Sequence, residues 1–230
     1  MARWIKNEFW NGYNWLERIF MLFMVMLQVI VYCFVPDSPI GMVCGISGVI
    51  CVALTAKGKI SSYIFNFIQM ITYMIICWDA KLLLEFGEQV FYFVACVFGV
   101  FIWKKNMAKN DDGSEQVIAK KFKPWHWVAT VVSTIISTLV LGYFGDNILG
   151  STLSYLDAFT VALAVIAQLL MVWRYREQWA MWIAIDVSSL VMFIILGQWS
   201  MVAMYVAWTI NAFYGWYNWS KLNKIQNVEG

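Results

Sequence analysis

Ionisable and amide side chains inside long apolar runs are the residues through which this chain could recognise a solute. Asp186 is the clearest case, because the stretch "WAMWIAIDVSS" (179–189) is apolar around it except for its two closing serines. A charged side chain at the centre of a membrane helix costs about 2.5 to 3.5 kcal/mol, so it usually faces a bundle interior or a wet cavity. A structural hydrogen bond to a neighbouring helix is the alternative. The other such polar residues are Asn66, Gln69, Asp157, Thr160, Gln168, Ser189 and Asn211.

The spacing of these residues groups some of them on shared helix faces. Asn66 and Gln69 are three positions apart and Tyr73 continues their face, while Trp182 and Asp186 are four positions apart. Residues at these spacings are neighbours on a helix surface. Flat aromatic walls with a few hydrogen-bonding groups indicate a cavity for a small planar or sugar-like polar solute.

Other chemistries find no support in the sequence. The single histidine, His126 in "KPWHW", is beside Trp125 and Trp127 at the edge of an apolar run, and one histidine cannot build a metal site or a Ser–His pair. No Walker-type phosphate loop is present. We therefore predict a protein that is not an enzyme, with no metal, no cofactor and no nucleic-acid partner.

The composition places these residues in a polytopic membrane protein. Of 230 residues, 62% are hydrophobic and only 13% are charged, and the mean hydropathy is +0.67. A spanning helix needs about 20 mostly apolar residues. That template predicts eight spans, near 16–35, 40–56, 60–78, 82–103, 126–144, 153–173, 179–197 and 199–219. Tryptophans near their ends are predicted to lie at the bilayer interface, namely Trp4, Trp10, Trp15, Trp125, Trp127, Trp179 and Trp219.

Basic residues occupy every second loop between these spans. Lys57 and Lys59 lie in one such loop, and "RYRE" (174–177) lies in another. By the positive-inside rule this alternation predicts both termini in the cytoplasm. The polar segment 104–125 is the longest loop, and we expect it to be a flexible cytoplasmic connector.

An internal repeat is indicated by matching sequence endings. The fourth span ends in "GVFIW" and the eighth in "GWYNW", both Gly-x-x-x-Trp. Setting Lys59 against Trp179 places Asn66 on Asp186. We therefore predict an all-α membrane fold of about eight helices with two parallel three-helix bundles (3+1+3) and a site between the bundles. The predicted divisions are an extra N-terminal segment at 1–35, bundles at 40–103 and 153–219, a linker helix at 126–144 and a tail at 220–230.

Several segments resemble the PnuC family of bacterial nicotinamide riboside transporters. They are "AKGKISSYIFNFIQMITY", "VFYFVACVFGVFIW" and the run from "LDAFTVALAVIAQLLMVWRYREQWAMWIAIDVSSLVMF" to "MYVAWTINAFYGWYNW", so the resemblance covers roughly residues 40–220. It implies a fold similar to the SWEET sugar transporters and a location in the bacterial inner membrane. It also implies facilitated diffusion of nicotinamide riboside by alternating access, feeding NAD synthesis.

The resemblance also implies a set of substrate-binding residues. These are Asn66, Gln69, Tyr73, Asp157, Gln168, Trp182, Asp186, Tyr205 and Asn211. Cys96 departs from the pattern, because we expect an amide near the middle of the fourth span. A carboxylate near aromatic rings suits a pyridinium cation, but thiamine is also cationic and stays an alternative. A receptor or scaffold with the same fold, and a homo-oligomer using the extra first helix, are further possibilities.

Overall fold

Long α-helices dominate the computed structural model, which describes residues 2–34, 38–81, 83–110, 113–149, 154–195, 197 and 199–226. Residues 35–37, between the first two predicted spans, and the end of the predicted tail, after 226, lie outside these residues. The helices are α1 (Ala2–Phe9), α2 (Trp15–Phe34), α3 (Pro39–Ala56), α4 (Ser62–Asp79), α5 (Leu83–Lys104), α6 (Pro124–Phe144), α7 (Ser154–Val172), α8 (Gln178–Ile195) and α9 (Trp199–Gln226). A π-helical turn, Gly145–Leu149, follows α6.

The helices α2 to α9 confirm the eight predicted helical segments to within a few residues at nearly every end, and α9 continues seven residues past its predicted end. Six stretches are long and apolar enough to cross a membrane: Trp15–Phe34, Pro39–Ala56, Glu85–Lys104, Pro124–Asn147, Tyr155–Val172 and Gln178–Ile195. The helices α4 and α9, which carry most of the intramembrane amides, are not among these six. The described residues therefore form a helical membrane protein, and the eight crossings stay a prediction.

The chain divides into two units, Met1–Ile118 and Ala119–Gly230. In the first unit α2 packs on α3, α3 on α4, and α4 on α5. Glycines of α3 permit close approach on both of its sides: a Cβ at Gly45 would lie 2.9 Å from the Gln28 amide oxygen of α2, and one at Gly48 would lie 3.3 Å from Cγ of Gln69 in α4. The stretch "GMVCGISG" (41–48) is thus a helix-packing face.

The N-terminal segment is attached to the turn between α3 and α4 by two buried lysines. The Lys57 ammonium donates to the Gly12 carbonyl at 2.8 Å and forms an ion pair with Glu17 at 2.7 Å. Lys59 is fully buried and its ammonium donates to the Asn7 carbonyl at 3.0 Å. The basic turn that contains Lys57 and Lys59 is therefore covered by this segment.

The connector contains a β-hairpin, so the prediction of a flexible segment is wrong for its described part. The strand β1 (Met107–Lys109) pairs antiparallel with β2 (Glu115–Val117). Val117 is fully buried and its N–H donates to the Gly58 carbonyl at 2.9 Å. Buried backbone groups need such partners, and here the hairpin and the α3–α4 turn supply them to each other.

In the second unit α6 packs on α7, α7 on α8, and α8 on α9. Pro124 begins α6, where its missing N–H costs nothing, and the Lys123 N–H donates to Nδ1 of His126 at 2.9 Å. This bond gives the lone histidine a structural role at the start of the helix. Two predicted interface tryptophans are instead core residues, since Trp179 is 2% and Trp219 is 0% exposed.

Candidate functional site

One face of α8 carries the candidate site of the second unit. Trp182, Asp186, Ser189 and Phe193 follow one another at spacings of four, three and four. Such spacings return to the same side of a helix, and four residues advance about 6 Å along the axis. The four side chains therefore form a stripe about three turns long.

Asp186 is a buried carboxylate that has no protein partner among the described residues. It is 5% exposed, and no hydrogen bond or ion pair joins it to another described side chain or backbone group. An ionised carboxylate in a buried setting is stable only with a cation or hydrogen-bond donors beside it. The lack of a described protein partner is therefore compatible with a ligand at Asp186, which stays a prediction.

Tyr205 brings α9 to this stripe. Its ring stacks on Phe193 with centroids 5.4 Å apart and an interplanar angle of 22°, and Trp208 contacts it edge-on at 5.2 Å. Phe193 shares the α8 face of Asp186 and Ser189, so this stacking places Tyr205 beside that face. The structure therefore joins two of the predicted site residues, Asp186 and Tyr205, in one cluster with aromatic walls.

The other predicted residues of this unit lie at different depths. Asn211 on α9 is 2% exposed, and its amide nitrogen is enclosed with no hydrogen-bond partner among the described residues. Gln168 is buried on α7 and already interacts with another residue. Asp157 is exposed at the start of α7, and its carbonyl accepts from the Thr160 hydroxyl at 2.7 Å. Asp157 thus lies at the outer margin of the unit, apart from the buried cluster.

In the first unit, the predicted residues of α4 share a face and each contacts a neighbouring residue. The Asn66 amide donates to the Cys96 sulfur of α5 at 3.2 Å, and Cys96 is fully buried. Gln69 lies against Gly48 of α3. Tyr73 lies one helical turn before Cys77, which is fully buried, on the same side of α4. The cysteine that departs from the expected amide thus serves as the acceptor for Asn66.

The two units repeat the same local structure 116 positions apart, the separation of Gly99 from Gly215. Tyr63 lies over Gly99 as Trp179 lies over Gly215. The Tyr63 ring meets Trp103 edge-on at 5.1 Å, and the Trp179 ring meets the Trp at the same offset, Trp219, edge-on at 6.3 Å. The repeat predicted from the paired Gly-x-x-x-Trp endings is therefore present in the packing.

The turns before α4 and α8 also have equivalent backbone conformations, again 116 positions apart in the sequence. Gly58 and Arg174 both have φ of 68°, and their carbonyls accept from Val117 at 2.9 Å and Lys120 at 2.7 Å respectively. The predicted alignment of Lys59 with Trp179 is consequently wrong by one helical turn. Asn66 corresponds to Trp182, and Asp186 corresponds to Met70, an apolar residue that is 1% exposed. The carboxylate has no polar counterpart in the first repeat.

Two members of the Asp186 cluster, Phe193 and Trp208, were not predicted, and Ser189 was noted only as an intramembrane polar residue. The signal for Ser189 and Phe193 was their spacing of three and seven from Asp186. A single sequence does not reveal which face of α9 meets α8, so this contact required the structure.

Comparisons with known proteins agree with this architecture. Residues 38–221 match a family described as nicotinamide mononucleotide transporter. Over 99% of both chains the sequence is 37% identical to the nicotinamide riboside transporter PnuC of Haemophilus influenzae. It is 34% identical to PnuC of Neisseria mucosa, over 96% of this chain and 87% of that one. A crystal structure of the vitamin B3 transporter PnuC superposes with a TM-score of 0.82 at 31% identity, covering 97% of this chain and 98% of the other.

Proposed function

Because the chain belongs to the PnuC family of membrane transporters, we propose that its substrate is nicotinamide riboside. The observation that carries this proposal is the buried, unpaired carboxylate of Asp186. Nicotinamide riboside carries a fixed positive charge on its pyridinium ring. A carboxylate in an apolar setting attracts such a cation strongly, because little water competes with the interaction.

Aromatic side chains around the carboxylate support a flat cationic ligand. Trp182 lies one turn from Asp186 on the same face of α8, and Tyr205 is stacked with Phe193 beside it. The faces of such rings attract cations and also stack on planar heterocycles.

The charge distribution supports a riboside over a mononucleotide, the two substrates that the names of similar proteins suggest. The helical segments at 39–56, 62–79, 83–103, 124–144, 154–172, 178–195 and 199–220 contain no lysine or arginine. Phosphate binding in proteins relies on those two side chains. A phosphate would in addition be repelled by Asp186.

We further propose facilitated diffusion by alternating access in a SWEET-like 3+1+3 fold, with α6 as the linker helix. The repeated three-helix segments α3–α5 and α7–α9 support this arrangement. The sequence has no Walker-type motif that would supply ATP hydrolysis. The alternation of basic loops supports eight crossings of the bacterial inner membrane with both termini in the cytoplasm. Imported riboside would then feed NAD synthesis.

Flux through the purified protein tests these proposals. Proteoliposomes without ATP or an ion gradient should equilibrate labelled nicotinamide riboside, and an excess of unlabelled riboside should compete. Nicotinamide mononucleotide should compete weakly. Stronger competition by thiamine than by the riboside would reassign the substrate. Saturable binding without any flux would overturn transport and leave a receptor.

A further inference from the structure

We propose that the segment 120–127, where the connector enters α6, binds the headgroup of an anionic phospholipid. Lys121 and Lys123 hold the lipid phosphate, and Trp125 and Trp127 lie beside the glycerol and the first carbons of the acyl chains. The proposal concerns the lipid around the protein, so it does not depend on which substrate the chain carries.

Three exposed lysines directly before α6 carry positive charge that no acidic residue offsets. They are Lys120, Lys121 and Lys123, and the ion pairs among the described residues involve other side chains. The sequence has no aspartate or glutamate at all from 116 to 145. Burial and the nearby charge of Arg174 lower the pKa of Lys120, which indicates that like charges are crowded here. An anion bound to this segment would relieve that repulsion.

The backbone that carries these lysines is fixed to the turn between α7 and α8. The Lys120 N–H donates to the Arg174 carbonyl at 2.7 Å, and the Arg176 N–H donates to the Lys120 carbonyl at 3.0 Å. Phe122 is buried, and its ring meets that of Tyr175 edge-on with centroids 5.2 Å apart. A site on a held backbone loses less conformational entropy when it binds a ligand than a site on a mobile loop.

The side chains of Lys121 and Lys123 lie on one side of this segment. Exposure alternates along it, since Lys121 and Lys123 are exposed and Phe122 between them is buried. The backbone at Lys123 is extended, with φ of −83° and ψ of 156°. In extended chain, residues two positions apart share a side and are roughly 7 Å apart. The flexible stems of two lysines can bring both ammonium groups to one phosphate across that distance.

The residues that follow select a lipid over a soluble anion. Trp125 is 62% and Trp127 is 39% exposed in the first turn of α6, where tryptophans favour the bilayer interface. The outward face of α6 then continues with large apolar residues that are about half exposed or more, namely Val128, Val131, Val132, Ile135, Ile136 and Leu139. The order of lysine, tryptophan and apolar face matches the order of phosphate, glycerol and acyl chains in a phospholipid. Free phosphate would use only the first part.

Lipid binding to the full chain in a neutral detergent tests this proposal. Native mass spectrometry measures the Kd for dioleoyl phosphatidylglycerol and for dioleoyl phosphatidylcholine, which has the same acyl chains and no net charge. We expect the wild type to bind phosphatidylglycerol more tightly. Lys121→Gln combined with Lys123→Gln should raise that Kd about fivefold per lysine, so roughly twenty-fivefold, and change the Kd for phosphatidylcholine by less than about twofold.

Lys81→Gln combined with Lys109→Gln is the matched control, because it removes the same charge from exposed positions outside the segment. It should bind both lipids as the wild type does. An equal loss of phosphatidylglycerol binding in this control would overturn the site, since net charge alone would then attract the lipid. Equal Kd values for the two lipids in the wild type would also overturn it.

Thermal unfolding separates the lipid from free phosphate as the ligand. Phosphatidylglycerol should raise the unfolding temperature of the wild type, whereas inorganic phosphate at the same ionic strength should not. Stabilisation by inorganic phosphate that the Lys121 and Lys123 substitutions abolish would overturn the lipid assignment. Should the double variant be obtained in low yield, each single variant decides the question through its expected fivefold rise in Kd, roughly the effect of one lysine.

Discussion

Trp179 of α8 lies so close over Gly215 of α9 that a Cβ at Gly215 would be 2.5 Å from the indole ring. Trp219, one turn further along α9, meets the same indole edge-on. In the first unit Tyr63, Gly99 and Trp103 make the equivalent contact. The missing side chain of the glycine is thus what lets the second and third helices of each repeat approach.

Gly215→Ala should therefore destabilise the second unit. Inserting a methyl group into a well-packed contact typically costs about 1–3 kcal/mol. Thermal unfolding of the purified protein in detergent measures the effect. Gly87→Ala is the matched control, because nothing lies within 4 Å of a Cβ at Gly87. Equal melting temperatures for the two variants would show that the contact is not tight.

Asp186→Asn should weaken substrate binding more than it affects folding. The substitution removes the negative charge and keeps the shape, and hydrogen bonds or pairing with a charged group contribute about 1.5–3 kcal/mol. We expect the Kd for nicotinamide riboside to rise about ten- to hundredfold, measured by calorimetry or uptake. Asp146→Asn, at an exposed position outside the predicted site, is the control and should bind as the wild type does. A wild-type Kd for Asp186→Asn would return this residue to a structural role.

Glu17→Gln should loosen the N-terminal segment from the α3–α4 turn. Lys57 is buried and pairs with Glu17 at 2.7 Å, so the substitution leaves the ammonium with the Gly12 carbonyl as its remaining fixed acceptor. Removing one partner of a largely buried pair costs up to about 3 kcal/mol. Limited proteolysis should then cut near residues 10–14 faster than in the wild type. Glu115→Gln, an exposed site, should not change the rate.

Tyr13→Phe should leave the stability unchanged or raise it. The Tyr13 hydroxyl is buried without a hydrogen-bond partner. Burial, with smaller contributions from the charges of Glu8 and Glu17, raises its pKa, so the hydroxyl is neutral at physiological pH. Removing an unpaired neutral hydroxyl relieves a desolvation cost of about 1 kcal/mol. A clear fall in the unfolding temperature would mean that the hydroxyl has a partner in solution.

The positions of the helices could be predicted because apolar length and proline are local signals. Ser38 and Pro39, for example, start α3 through a side-chain hydrogen bond to the Gly41 N–H at 3.1 Å. The Gly-x-x-x-Trp pairing of the two units could also be predicted, because a glycine such as Gly99 or Gly215 itself indicates close helix packing.

What could not be predicted depends on contacts between distant segments. The burial of Lys59 depends on α1, which lies 52 positions away in sequence and follows no apolar pattern that would announce the contact. The register of the repeat differs by one turn from the predicted alignment of Lys59 with Trp179. In the structure, backbone conformation at Gly58 and Arg174 decides the alignment. The contact of Phe193 with Tyr205 likewise depends on the rotation of α9 about its own axis.

The left-handed backbone conformation shared by Gly58 and Arg174 has a different energetic cost in the two units. An arginine at φ of 68° is intrinsically unfavourable, whereas glycine adopts this conformation without strain. The second turn keeps its shape although its own residue disfavours that shape, so the contacts around it, among them the hydrogen bond from the Lys120 N–H to the Arg174 carbonyl, offset the strain. The same turn geometry is therefore intrinsic to the residue in the first unit and imposed by distant contacts in the second.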